Sequence, residues 1–189
     1  MYTAMLIGGL ALWFAAHFFK RLAPAPRAKM GNAGKGLMAV LIVAGLVLIV
    51  MGYRDTELGS VNVWFPPSWT IHINNLLMLL AFWVYGSSAA KGAKAWPAYK
   101  IRHPQLTAVK IFTFAHLLVN GDLASIILFG SLLAWAVISV ILINKAEPNW
   151  TAPEKAAEKT YVRLLIITLV LFSVVAGIHN WLGYWPFPS

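Results

Sequence analysis

Apolar residues along this chain fall into six long stretches, separated by short segments rich in Lys, Arg, Pro and Gly. They cover about 3–19, 37–52, 70–87, 106–119, 123–143 and 164–182. Each run is nearly continuous, which argues against half-buried strands. Most approach the roughly 17–25 residues that a membrane-crossing helix needs. The fourth is short, and Asn120-Gly121-Asp122 follows it directly, so the fourth and fifth are expected to form a tight helical hairpin. No repeat period appears, and no loop is long enough for a soluble domain. The pattern predicts an all-α polytopic membrane protein, a compact six-transmembrane-helix bundle occupying 1–189 as a single domain.

Charge sharpens that picture. The 189 residues are 60% apolar and 11% charged, with a mean hydropathy of +0.72, far from a soluble globular domain. Lys20, Arg21, Arg27, Lys29 and Lys35 follow the first stretch. Lys91, Lys94, Lys100 and Arg102 follow the third, and Lys145, Lys155, Lys159 and Arg163 follow the fifth. Thirteen of the fifteen Lys and Arg thus lie in alternate connections, leaving Arg54 and Lys110. The positive-inside rule places those connections in the cytoplasm and both termini outside, in a membrane crossed several times. The net charge of +9 therefore reports topology and attraction to membrane lipid, and no nucleic acid is needed to explain it. The first stretch lacks a basic start and ends on Lys20-Arg21, so it reads as a retained helix and not as a cleaved signal. Trp64, Phe65, Trp69, Trp96, Tyr99, Tyr184, Trp185 and Phe187 flank the spans at positions suited to headgroup depth.

The chain has no cysteine, which excludes disulfides, thiolate clusters, covalent haem attachment and a Cys nucleophile. Its six acidic residues all lie in connections, so no carboxylate-rich metal site or intramembrane proton relay is expected. Chemistry then rests on His17, His72, His103, His116 and His179. Imidazoles in an apolar bundle without thiols or carboxylates suit b-type haem, with copper or zinc the lesser reading. Gln105, Val109, Phe112, Thr113 and Asn120 share the His116 helix face and form a narrow polar seam. Leu10, Trp13 and Phe14 lie beneath His17, an apolar and aromatic face suited to a porphyrin edge. Plainer readings compete. Polar residues in membrane helices often only hydrogen-bond neighbouring helices, and His103 could simply open a helix at the interface. Lys110 is expected to snorkel, and Asp122 to cap the fifth helix.

Several segments resemble the NnrU family of bacterial membrane proteins, which implies a bacterial inner (cytoplasmic) membrane location. They are WFPPSWTIHINNLLMLLAF, RHPQLTAVKIFTFAHLLVNGDLASIILFGSLLAWAV, the ending GIHNWLGYWP, and GGLALWFAAHFFKR in the first helix. The family takes its name from a gene cluster for nitrite and nitric oxide reduction. The resemblance therefore implies denitrification or nitric oxide metabolism, and a nitrite or nitric oxide reductase system as partner. The family is also similar to the plant 15-cis-zeta-carotene isomerase, a membrane enzyme holding haem b between two histidines. Carried onto this chain, the resemblance matches His116 and His17 to the axial ligands of the iron. These two differ by roughly 10 Å along the membrane normal at about 1.5 Å per residue. On depth alone His179 or His72 is the easier partner for His116. A porphyrin toward the cytoplasm could pair its propionates with Lys20, Arg21 or Arg102.

Three function classes follow. One is a haem-binding membrane protein serving nitric oxide or nitrite respiration. Another is a haem-dependent cis-trans isomerase of a polyene in the bilayer, implied by the plant relative. The third is a cofactor-free transporter or assembly factor in which the histidines pack helices.

Overall fold

A computed structural model describes residues 2–188. It is all-helical, with seven helices among the described residues: α1 (Tyr2–Leu22), α2 (Pro24–Lys29), α3 (Gly31–Glu57), α4 (Thr70–Gly86), α5 (Pro104–Val119), α6 (Leu123–Ala146) and α7 (Glu158–Trp181). Each of the six apolar stretches lies on a helix. Several helices run further than their stretches, whereas α4 stops one residue short of its own. Thus α7 begins six residues before its run, through a segment with Glu158, Lys159 and Arg163, which propagate a helix well, and α3 begins six before its own through a glycine-rich segment that propensity alone does not favour. Pro24 opens the short α2 in what the apolar pattern left as a connection, since its fixed φ suits a first turn.

Four helices, α1, α3, α6 and α7, are long and apolar enough to cross a membrane. The other two expected spans, α4 and α5, have 17 and 16 residues. The chain divides into two compact units, Met1–Phe65 with Gly121–Ala146, and Pro66–Asn120 with Glu147–Ser189. The hairpin expected at 120–122 falls at the boundary between them: α6 packs with α1 and α3 in the first unit, α5 with α4 in the second.

In the first unit α1 and α3 run antiparallel in close contact, and small residues make this possible. A methyl group on Gly9 would meet the Ile49 amide at 2.7 Å and the Gly45 carbonyl at 2.8 Å, and one on Gly52 would run into the Leu6 backbone. Most large side chains of α3 point the other way: Val40, Val43, Leu46, Val47 and Val50 are exposed, whereas three glycines, Gly34, Gly45 and Gly52, are buried with Ile49. Small inward and large outward reverses a water-soluble bundle. It is the arrangement expected where lipid surrounds the protein and helices associate by close van der Waals packing. Between α3 and α6 the Tyr53 hydroxyl and Ser125 Oγ are hydrogen-bonded at 2.8 Å, which satisfies a fully buried serine.

The turn before α6 belongs to the same unit. The Gly121 carbonyl accepts from the amides of Val63 and Trp64, and a side chain at Gly121 would strike the Trp64 carbonyl. Asp122 Oδ1 accepts from the Ser125 amide at 2.9 Å, capping α6 as expected.

In the second unit α4 packs against both α5 and α7. The connections 87–103 and 147–157 pair through Lys94 and residues 154–156. Arg102 donates to the carbonyls of Glu147 and Pro148. The tail is held by the Asn75 amide donating to the Pro186 carbonyl at 2.9 Å. Outward residues of α7, among them Leu165, Ile166, Leu169 and Val170, are exposed and apolar.

The glycine contact makes a paired prediction. Gly9→Ala is expected to lower stability by about 1–3 kcal/mol, because the obstruction is backbone and cannot rotate aside. Gly8→Ala, with nothing within 4 Å of the new methyl, is expected to be neutral or to stabilise by up to ~1 kcal/mol through helix propensity. Unfolding titrations in detergent compare the two.

Candidate functional site

Three of the five histidines share one local geometry. Each Nδ1 lies beside the carbonyl four residues earlier in its own helix: His17 on Trp13 at 2.8 Å, His116 on Phe112 at 3.0 Å, His179 on Val175 at 2.8 Å. A carbonyl only accepts, so Nδ1 carries the proton and donates it. In a neutral ring the lone pair is then on Nε2. That bond also fixes the ring's orientation, as in many metal sites where the far nitrogen of a ligating histidine is tied to a carbonyl.

In the second unit this brings two imidazoles together. His116 of α5 and His179 of α7 have ring centres 6.4 Å apart, inclined at 46°. Their helices both pack on α4. Phe112 lies 4.5 Å from the His116 ring. The seam expected on α5 is present as local bonds: Thr113, fully buried, donates to the Val109 carbonyl at 2.9 Å, and the Asn120 amide donates to the His116 carbonyl at 2.8 Å.

His17 lies in the first unit. Its ring rests 4.2 Å from Trp13 and 4.9 Å from Trp135 of α6, and the two indoles are 5.6 Å apart. The α1 face beneath His17 is therefore aromatic, as its sequence implied. Trp135 was not a candidate, because nothing local in α6 marks it.

The remaining two histidines stand differently. His72 is exposed in the first turn of α4. His103 is the residue immediately before α5, followed by Pro104 in the first turn, the helix-start role foreseen for it. No group of three or more His, Cys, Asp or Glu that could hold a metal ion occurs among the described residues. Any metal here would rest on imidazole pairs. Two imidazoles on opposite sides of one metal, each bonded at about 2.0–2.1 Å, have ring centres roughly 6 Å apart. The His116–His179 separation fits that requirement, and the thiol-free donor set fits haem iron.

Together these features describe an all-helical protein of membrane-spanning character whose buried polar chemistry rests on oriented imidazoles. The chain belongs to the NnrU protein family, whose model matches residues 5–186. No curated protein and no solved structure matches it.

The local bonds predict the tautomers. Nitrogen spectra of 15N-histidine-labelled protein are expected to show the Nδ1-protonated form for His17, His116 and His179. Nε2-protonated rings at these positions would contradict the orientation described here.

Proposed function

We propose that this protein crosses the bacterial cytoplasmic membrane six times with both termini outside. Inside the bundle, histidines hold b-type haem in the service of nitrite or nitric oxide metabolism. One observation carries the cofactor reading: the His116 and His179 rings lie with centres 6.4 Å apart on separate helices, each fixed by its own backbone bond. Membership of the NnrU family, whose name derives from nitrite and nitric oxide reduction, supports the metabolic setting. The alternation of basic connections supports the orientation.

In this reading His116 and His179 would hold the haem iron. His17, also matched to a ligand by the family resemblance, carries the same tautomer in the first unit. Bound haem supplies redox and gas-binding chemistry at its iron. The protein's own part is to orient the ligands through the Phe112 and Val175 carbonyls and to surround them with apolar and aromatic side chains. Two imidazole ligands favour electron transfer or a ligand switch over a permanently open gas site.

A second reading, cis-trans isomerisation of a polyene, is favoured by an open groove of about 250 Å³ lined by Phe172, Ser173, Ala176, Gly177, Asn180, Trp185 and Phe187. It flanks the residue next to His179, and its small floor and aromatic walls suit a flat apolar chain.

Protein purified in mild detergent from haem-supplemented cells is expected to show a Soret band with sharp reduced α and β bands. His116→Ala is expected to lower haem retention roughly tenfold or more. Comparison of His179→Ala with His17→Ala then identifies the second ligand by which variant alters the reduced spectrum. A folded, colourless wild type, or an unchanged spectrum in His116→Ala, would contradict the proposal.

A further inference from the structure

The end of α7 and the tail that follows it build a groove within the second unit. Phe172, Ser173, Ala176, Gly177 and Asn180 line it from the helix, at the spacing of a single face. Beyond the helix the chain reverses at Gly183, whose φ of 93° favours a residue without a side chain. The Gly183 and Tyr184 amides donate to the Asn180 and His179 carbonyls and close the helix end. The tail then returns beside α7, with Phe187 6.2 Å from Phe172 and 5.4 Å from Trp185. The Asn75 amide holds it there through the Pro186 carbonyl. The groove so formed has a volume of about 250 Å³.

Its floor is small and its walls aromatic, but two polar side chains interrupt the apolar lining. Among the described residues neither the Ser173 hydroxyl nor the Asn180 side-chain amide has a hydrogen-bond partner. Thr113, His116 and His179, by contrast, turn onto carbonyls of their own helices. Seven positions separate Ser173 from Asn180, nearly two turns and roughly 10 Å along the axis. Two carbonyl oxygens on opposite sides of a six-membered ring lie about 5 Å apart. Donors at hydrogen-bond distance beyond each then stand about 11 Å from one another. The spacing thus matches a ring with one acceptor toward each end, whereas a plain hydrocarbon chain leaves both side chains unpaired. The volume lies just under the roughly 300–1,000 Å³ of sites for drug-sized molecules, which suits one substituted ring and not a fused polycycle. Phe172, Trp185 and Phe187 offer such a ring aromatic surfaces to pack on.

We propose that this groove binds the headgroup of a quinone, a single ring with two opposed carbonyl oxygens carried on a hydrocarbon tail. Ser173 donates to one oxygen and Asn180 to the other, and the ring lies over Ala176 and Gly177. Serine and asparagine also accept hydrogen bonds, so the reduced form, with hydroxyls in place of the carbonyls, fits the same two side chains. The exposed Val174 and Ile178 beside the groove continue its apolar surface for the tail. The inference does not depend on haem.

A decyl-substituted benzoquinone tests the site by equilibrium binding to the full-length protein in lipid nanodiscs, with partitioning into empty nanodiscs subtracted. Decylbenzene, which keeps the ring and the tail but lacks both oxygens, is the control. The quinone is expected to bind saturably and decylbenzene not to. Ser173→Ala and Asn180→Leu are each expected to weaken quinone binding roughly tenfold. Gly177→Leu fills the groove from its floor, with nothing within 4 Å of the new Cβ to disturb packing, and is expected to abolish binding. Quinone uptake that does not saturate, equal binding of decylbenzene, or affinity unchanged in Gly177→Leu or in either polar variant overturns the proposal. Should a variant not fold, the wild-type comparison of quinone with decylbenzene decides.

Discussion

A polar group inside hydrocarbon must find its partner within the protein, because no water is present to supply one. That constraint organises most of what is distinctive in this chain. The histidines of α1, α5 and α7 meet it by turning Nδ1 onto the carbonyl one turn earlier. Thr113 does the same with its hydroxyl, and Ser125 is met by Tyr53. These bonds set which ring nitrogen remains for other chemistry. The Trp13 and Trp135 indoles do not meet it: both are buried without an acceptor.

Helix association follows from the same solvent. Lipid leaves no hydrophobic incentive for helices to hide Val and Leu from it, so contact depends on how closely backbones approach. Gly9, Gly45 and Gly52 allow α1 and α3 that approach, and most large side chains of α3 and α7 point outward. Precise packing in the first unit and oriented imidazoles in the second thus arise from one physical setting.

The existence and order of the principal helices were legible in the sequence, because long apolar runs have few other structural solutions. Their limits were less so: α7 starts, and α3 ends, through charged residues that propagate a helix without contributing hydropathy. The short α2 was not foreseen because it lacks an apolar run and carries two prolines. Asp122 as a cap and Pro104 in a first turn were readable, since both roles are local. The pairing of His116 with His179 was only one option among several, because spacing along α5 says nothing about which residue of α7 lies opposite. Trp135 was invisible for that reason too. Its role comes from meeting His17 across the first unit, and no periodicity within α6 encodes it.

A pair of neighbouring imidazoles, His116 and His179, links the fold to the proposed haem chemistry. Low-temperature electron paramagnetic resonance of the ferric, haem-loaded protein tests that link most directly, because spin state reports whether the iron carries two strong axial nitrogen ligands. The account predicts a low-spin signal in the wild type that becomes high-spin in His179→Ala, where the ring neighbouring His116 is gone. A low-spin signal unaltered by that substitution would contradict the assignment of His179 as the second ligand.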